Sequence, residues 1–329
     1  MNNVLPTVAD VVDAQVRLRG WLIETPVLES EAINRRVSAR VLFKAECLQH
    51  TGSFKIRGAL NRLLQLSVDE RRAGVVAFSS GNHAQAVALA ARWLEVSATI
   101  VMPANAPSVK LERTRALGAE VVLYDREHED REAIAARIAE QRGAALVPPF
   151  DHPHIIAGQG TVGLELGRAT RGRKLRIDAL YVPVSGGGLI AGCALGIKSE
   201  WPDCAVYAVE PRGFEDLNAS LAAGERRTNP PGGTTLCDGL RAPTPGAITF
   251  AINRRELAGA LAVDDEQIRG AMALAAQQLK VVVEPSGAAA LAAVLAAPPQ
   301  TAECIAVVLS GGNVDTDLFT DVLRTHGTQ

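Results

Sequence analysis

A single lysine stands out as a possible nucleophile. Lys55 lies in residues 51–58, TGSFKIRG, where a polar stretch bounded by glycines leads into an apolar helical run. A lysine that forms a Schiff base with an aldehyde must be partly desolvated, so that its amine can be neutral near pH 7. The neighbours Phe54 and Ile56 permit such burial, whereas an ordinary surface lysine is the alternative because lysine is seldom buried. Lys44, in a strand-like run, is expected to be an ordinary solvated lysine.

Three loops of small and polar residues each follow a predicted strand. They are residues 79–83 (SSGNH), 185–189 (SGGGL) and 310–313 (SGGN). Open parallel sheets bind ligands beyond the carboxyl ends of their strands, and free amides at the start of a helix attract anions. The first loop therefore suits a carboxylate, unless its polar side chains only cap the helix that follows. The glycine loop suits a phosphate.

Two kinds of cofactor fit the glycine loop. Glu210 stands close to the place where a dinucleotide-binding fold has its ribose-binding acid, which favours NAD and an oxidoreductase. The spacing of Gly186, Gly188 and Gly192 departs by one residue from the GxGxxG pattern. A cofactor with a phosphate, an aldehyde and a ring nitrogen would instead use the glycines, the lysine and a hydroxyl together.

Predicted strands and helices, which must position these residues, alternate along the chain. Short apolar runs alternate with amphipathic ones, which predicts right-handed crossovers and parallel sheets. We expect residues 1–70 and 150–329 to form a large domain. Residues 71–149 are expected to form a small α/β domain inserted in it, with the active site in the cleft between them. Residues 226–246, rich in glycine, proline and threonine, are expected to be a long functional loop.

Composition narrows the classes of function. The formal net charge of -2 and the pI near 6.3 argue against a nucleic-acid partner or an anionic membrane surface. The five cysteines are scattered and include no CxxC pair, which fits a reducing cytoplasm. The first ten residues lack the pattern of an export signal, and no apolar stretch is long enough to span a bilayer. We therefore expect a cytoplasmic protein that acts on a small molecule.

Six motifs, in order over nearly the whole chain, resemble the serine/threonine dehydratase and serine racemase group of pyridoxal-phosphate enzymes. They are residues 51–58, 79–83, 156–161 (IAGQGT), 185–188, 284–287 (EPSG) and 310–313. The resemblance implies a tryptophan synthase β-like fold (fold type II), an α/β fold with two open, twisted, mainly parallel sheets flanked by helices. It also implies pyridoxal 5'-phosphate and an ammonia-lyase that converts L-threonine and/or L-serine to a 2-oxo acid and ammonia. Serine racemase or 3-hydroxyaspartate dehydratase activity is the alternative.

The same resemblance assigns roles to individual residues. Lys55 would hold the cofactor and remove the α-proton, Phe54 would pack on the ring, Asn82 would bond the 3-hydroxyl and Ser310 would face the pyridine nitrogen. Ser185, Gly186, Gly187, Gly188 and Leu189 would cradle the phosphate, and Glu284 and Gly311 would also lie at the cofactor. Ser79, Ser80, Gly81, Asn82 and His83 would take the substrate carboxylate. Ser80 could also act as the opposite-face acid of a racemase. The family usually has four glycines in the phosphate loop, and Ser185 replaces the first.

A divalent cation and an oligomer are further implications of the resemblance. Glu210, the carbonyl of Phe214 and Asp216 would hold Mg²⁺, Ca²⁺ or Mn²⁺, since carboxylate and carbonyl oxygens suit such ions. The alternative is two exposed acids in a turn. Relatives are homodimers, so a homodimer is expected. The chain stops soon after the Ser310 strand, which predicts an enzyme without a C-terminal regulatory domain.

Overall fold

Strands and helices alternate along most of the chain. The structure is a computed structural model that describes residues 4–79, 81–106, 108–126, 128–298 and 301–327. The strands are β1 (Val27–Glu29), β2 (Arg40–Ala45), β3 (Val75–Phe78), β4 (Ala98–Pro103), β5 (Glu120–Tyr124), β6 (Ala145–Leu146), β7 (Ala179–Pro183), β8 (Ala205–Pro211), β9 (Gly259–Val263) and β10 (Cys304–Leu309). The α-helices are α1 (Val8–Leu18), α2 (Glu31–Val37), α3 (Lys55–Leu63), α4 (Val68–Ala73), α5 (Asn82–Trp93), α6 (Ser108–Ala116), α7 (Arg131–Arg142), α8 (Pro153–Gly172), α9 (Gly188–Lys198), α10 (Asp216–Ala223), α11 (Ala247–Glu256), α12 (Asp265–Leu274), α13 (Pro285–Ala296) and α14 (Thr316–His326).

The larger sheet has the strand order β1-β2-β10-β7-β8-β9. β1 is antiparallel to β2, and every other neighbouring pair is parallel. Along β10, Ile305 and Val307 pack in one core cluster with α12 and α13, while Ala306 and Val308 pack in another with α8 and α9. Because both faces are buried, its strands read as nearly continuous apolar runs.

The smaller sheet has the order β5-β4-β3-β6, with all pairs parallel. Side chains again alternate between its faces: Val75 and Ala77 pack with α3 and α5, whereas Val76 and Phe78 pack with α7. All four strands lie between residues 75 and 146. Two mainly parallel sheets flanked by helices confirm the fold class that the sequence predicts.

Helix α3 joins the two sheets, because it packs on α5 of the smaller unit and on α8 beside the larger sheet. Two glycines make this approach possible. A Cβ added at Gly58 would lie 2.9 Å from the carbonyl oxygen of Ile155, and one added at Gly158 would lie 2.6 Å from that of Arg57. Two glycines of the 51–58 and 156–161 motifs thus allow two helix backbones to touch, which fixes Lys55 at the first turn of α3.

Several elements differ from the expectations. Lys44 is 1% exposed, so its assignment as a solvated lysine was wrong: its amine donates to the carboxylate of Glu165 at 2.7 Å. Strands β6 and β9 were not predicted: β6 has only two residues, and β9 is a short, half-buried run of mostly small residues, GALAV, at the edge of its sheet. The expected long loop at 226–246 contains one short 3₁₀ turn, Asp238–Leu240. Among the described helices, none has the length and apolarity that crossing a bilayer requires.

Candidate active site

A cavity of about 640 Å³ opens where the carboxyl ends of β3, β7 and β10 meet. Parallel strands place their following loops at one edge of a sheet, so the loops after β7 and β10 lie together at the larger sheet, and the loop after β3 of the smaller sheet lines the same cavity. The cavity is lined by Lys55 and by residues of all three predicted loops. Ser80 lies outside the described residues. The other predicted residues that line the cavity are Phe54, Ser79, Gly81, Asn82, His83, Ser185, Gly186, Gly187, Gly188, Leu189, Glu284 and Ser310.

Lys55 is the first residue of α3 and points into the cavity. Its Nζ donates a hydrogen bond to the carbonyl oxygen of Pro149 at 2.8 Å and lies 5.3 Å from the centre of the Phe54 ring. Burial without a carboxylate partner lowers the pKa of Lys55 to about 8. At pH 7 an amine with that pKa is neutral about one tenth of the time, against about one part in 3000 at its usual pKa.

The loop after β3 presents small polar groups beside Lys55. The hydroxyl of Ser79 accepts a hydrogen bond from the amide of Gly81 at 3.2 Å, and Asn82 begins α5. His83 is buried, and one of its ring nitrogens, Nε2, bonds the carbonyl of Val147 at 2.9 Å. Burial and the nearby charge of Lys55 lower the pKa of His83 to about 3, so its imidazole is neutral at physiological pH. The free amides at the start of α5 face the cavity side of the sheet.

The glycine loop after β7 is held from behind, so that its amides are available. The carbonyl of Gly186 accepts from the amide of Gly246 at 3.1 Å and from the hydroxyl of Thr249 at 2.6 Å. Gly187 has φ +92°, a left-handed conformation that favours glycine. Gly188 begins α9, and the first amides of a helix have no partner within it. The loop and the helix dipole together form an anion-binding cradle.

The loop after β10 meets the start of α13. Ser310 is 4% exposed, and its carbonyl accepts from the amide of Phe54 at 3.1 Å. Glu284 caps α13, and its carboxyl accepts from Nδ2 of Asn82 at 2.6 Å. Gly311 lies against that carboxyl, since an added Cβ would lie 2.0 Å from Oε1. Burial and the charge of Asp238 raise the pKa of Glu284 to about 8, so the carboxyl is largely protonated at pH 7.

A buried set of charges fixes α3 from the side opposite the cavity. Arg57 is fully buried and bonds both carboxylates of Glu46 and Glu165 at 2.6 to 2.9 Å. Lys44 also bonds Glu165, and Thr25 donates to Glu46 at 2.5 Å. Burial alone would raise the pKa of Glu46, but the charges of Arg57 and Lys44 outweigh it and lower that pKa. Two cations thus balance two anions.

The three predicted cation ligands lie between the end of β8 and the start of α10. Both carboxylate oxygens of Glu210 accept from amides of α10, those of Leu217 and Asn218, at 2.8 and 2.9 Å. One oxygen of Asp216, Oδ1, accepts from Asn229 at 2.7 Å. Burial raises the pKa of Glu210 to about 8 and that of Asp216 to about 6. Neither acid is exposed, contrary to the simple surface turn that the sequence left open.

Comparison with known proteins assigns the chain to a family. A model described as "Pyridoxal-phosphate dependent enzyme" matches residues 18–311. The chain belongs to this family. Family membership favours the phosphate of pyridoxal phosphate over a dinucleotide at the glycine loop.

Several similar proteins are named for related reactions. The chain is 42% identical to the L-threo-3-hydroxyaspartate ammonia-lyase of Saccharomyces cerevisiae, over 97% of each chain. It is 40% identical to the L-threonine ammonia-lyase of Thermotoga maritima, over 97% of this chain and 78% of that one. The solved structure of maize serine racemase matches with a TM-score of 0.91 and 39% identity, over 98% of each chain.

The donor set fits pyridoxal phosphate. Unpaired amides at a helix start suit a phosphate, a partly neutral lysine suits an aldehyde, and a small hydroxyl at Ser310 suits a pyridine nitrogen. The 3.2 Å separation between an added Cβ at Gly311 and Nδ2 of Asn82 shows how closely this wall approaches the amide. These groups come from three loops that the fold brings together.

Pro149 and Phe150 line the cavity, and Asp151 lies next to them in the chain, but none of the three belongs to a sequence motif. Pro149 supplies the acceptor for Lys55, and Phe150 packs so closely on the glycine loop that a Cβ at Gly186 would lie 2.4 Å from its ring. Asp151 caps α11 by accepting from the amides of residues 247–249. Their only signal was their position after a short apolar run, in the stretch PPFD.

Proposed function

We propose that this chain is a pyridoxal-phosphate-dependent ammonia-lyase that dehydrates and deaminates a β-hydroxy amino acid, L-threonine and/or L-serine, to a 2-oxo acid and ammonia. The observation that carries the proposal is Lys55, whose pKa of about 8 leaves a usable fraction of free amine in a cavity with an anion cradle. When bound, pyridoxal phosphate supplies an electron sink for the charge left by removal of the α-proton.

Lys55 would hold the aldehyde of the cofactor, and its amine is the group placed to remove the α-proton of the substrate. Its helix cannot shift easily, because Arg57, two residues on, is anchored to Glu46 and Glu165. Positioning within a few tenths of an ångström matters for proton transfer, since base and proton must lie in hydrogen-bond reach. The buried charges therefore hold Lys55 in position.

The phosphate would be bound by the backbone amides of Gly186, Gly187, Gly188 and Leu189, together with Ser185. Phe54 would pack on the ring, and Gly311 would leave room beside it. Ser310 would face the ring nitrogen with a neutral hydroxyl, which would not hold a proton there and so favours β-elimination over transamination. Asn82 has one amide proton left after its bond to Glu284 and would donate it to the 3-hydroxyl.

The substrate carboxylate lies at the start of α5. Ser79, Gly81, Asn82 and His83 line this place, and the helix dipole attracts a negative group. Ser80, which lies outside the described residues, completes the loop. As an opposite-face acid Ser80 would also permit racemisation, so formation of D-serine from L-serine is the assay for that alternative.

A substrate with a second carboxylate is favoured by a wall of the cavity that carries three arginines, although Glu129, Asp130 and Asp238 also line the cavity. Arg126, Arg131 and Arg241 line it, and none of the three forms an ion pair within 4.0 Å in the described part of the chain. This wall supports 3-hydroxyaspartate as a substrate beside serine and threonine. Replacing Arg131 by Gln should lower kcat/KM for 3-hydroxyaspartate about tenfold and leave that for L-serine nearly unchanged. Equal losses on both substrates would refute this preference.

A divalent cation would be held by Glu210, Asp216 and the carbonyl of Phe214. The second oxygen of Asp216, Oδ2, is buried and lacks a hydrogen-bond partner among the described residues, as a position awaiting a cation would be. Oxygen ligands of this kind suit Mg²⁺ or Ca²⁺. Added Mg²⁺ should raise the melting temperature, and Asp216→Asn should remove most of that rise. An equal rise in both proteins would exclude this site.

The organisation of the chain follows the same proposal. We assign residues 1–70 and 150–329 to a large domain and residues 71–149 to a small one, with the reaction in the cleft.

Exposed Trp21, Ile23 and Leu48 support a homodimer, because exposed apolar side chains often mark an interface. All five cysteines are free, which supports a cytoplasmic location. Light scattering of the purified protein tests the dimer.

The activity is tested by 2-oxo acid release from L-threonine, L-serine and both diastereomers of 3-hydroxyaspartate, with and without Mg²⁺ and EDTA. The proposal predicts turnover of at least one of them, and EDTA sensitivity would support the cation site. No 2-oxo acid from any substrate, with D-serine formed from L-serine, would replace the lyase by a racemase.

A further inference from the structure

Ser185 joins the phosphate loop to a separate wall of the cavity. It follows β7 and precedes the three glycines. The resembled family usually has four glycines in this loop, and Ser185 stands in the place of the first. Its Oγ accepts a hydrogen bond from the amide of Ala242 at 3.1 Å. The neighbouring Arg241 and Leu240 line the cavity. A glycine at 185 could not make this contact.

The same wall is held from its other side by Asn229. Its Nδ2 donates to the carbonyl of Ala242 at 3.2 Å and to Oδ1 of Asp216 at 2.7 Å. Both partners are acceptors, so both amide protons are used and the orientation of the amide is fixed. The backbone amide of Asn229 also donates to the carbonyl of Pro243 at 2.8 Å. Residues 242–243 are therefore clamped between Asn229 and Ser185.

We infer that Ser185 is a positioning residue, which connects the phosphate loop through Ala242 and Asn229 to Asp216. The inference rests on the proposed pyridoxal-phosphate site. The hydroxyl proton of Ser185 has no acceptor in the described part of the chain, so it can be donated to a phosphate oxygen while Oγ keeps the amide of Ala242. A cation bound at Asp216 would then act on the phosphate loop through Asn229 and Ala242.

The inference is tested by a double-mutant cycle on cofactor affinity. Pyridoxal phosphate is titrated into cofactor-free wild-type protein, Ser185→Ala, Asn229→Ala and the double variant, and the visible absorbance of the bound cofactor gives each Kd. Ser185→Ala should weaken binding about tenfold, as loss of a hydrogen bond to a charged group does. Asn229→Ala should weaken it about threefold when Ser185 is present and leave it unchanged when Ala is at 185.

Thr244→Ala is the matched control. Its hydroxyl donates to the carbonyl of Arg227 in the same loop, outside this set of contacts, so its cofactor affinity should equal that of the wild type. If Asn229→Ala does not fold, Asn229→Ser replaces it, because serine is too short to reach both acceptors. Independent, multiplicative effects of the two substitutions would overturn the inference. Failure of the wild type itself to bind would overturn the proposed function as well.

Discussion

Replacing Arg57 by Met should destabilise the protein more than any surface charge substitution. Arg57 is fully buried and is the main counter-charge of Glu46, whose next cation, Lys44, is 3.8 Å away. Its removal changes the buried set from two cations and two anions to one cation and two anions. Breaking a buried ion pair by removing one partner costs about 3–5 kcal/mol, because an uncompensated charge stays buried.

The loss in the free energy of unfolding caused by Arg57→Met corresponds to a measurable shift in melting temperature. With about 2.1 cal/mol/K of unfolding entropy per residue over 329 residues, the loss corresponds to about 4–7 °C. Thermal unfolding by circular dichroism measures it. Arg35→Met is the control, since its ion pair with Glu31 is exposed and should contribute about 1 kcal/mol or less. A shift for Arg57→Met no larger than that of the control would refute the reasoning.

Two further predictions concern pH. The pKa of Lys55 in the folded, cofactor-free protein is about 8, below its usual 10.5, so the unfolded chain binds more protons between these values and stability should rise with pH there. Lys55→Met should lose this rise, measured by urea unfolding at pH 8 and 10. The pKa of Glu284 is about 8, above its usual 4.5, so its contribution to stability is complete below pH 4.5 and falls as pH rises to 8. The free energy of unfolding of Glu284→Gln, relative to that of the wild type, should therefore be highest at pH 9. Identical dependence on pH in the two proteins would contradict the buried, protonated carboxyl.

The loops of the site could be predicted because their signals are local. Residues 79–83, 185–189 and 310–313 follow apolar strand runs directly, and the carboxyl ends of parallel strands converge. Lys55 was found from its immediate neighbours. The alternation of short and long apolar runs was enough to predict an α/β fold with parallel sheets, whereas the two-sheet fold type II was implied by the family resemblance.

Pairings between distant segments could not be predicted. Lys44 lies 121 positions from Glu165, its partner, and Asn82 lies 202 positions from Glu284. Nothing near Lys44 in the sequence signals a buried anion, so the general rule that lysines are solvated gave the wrong answer. Such contacts depend on the packing of α8 and α13 against the sheets, which is a property of the whole fold.

The central claim is that Lys55 carries the chemistry at a pyridoxal-phosphate site. The most direct measurement is 2-oxo acid release, with the visible absorbance of the purified protein, for the wild type, Lys55→Ala and Lys174→Asn. Lys174 is an exposed lysine with φ +57°, a conformation that asparagine tolerates, so its variant should behave as the wild type. We expect Lys55→Ala to lose both the absorbance and the product, whereas full turnover by Lys55→Ala would contradict the claim.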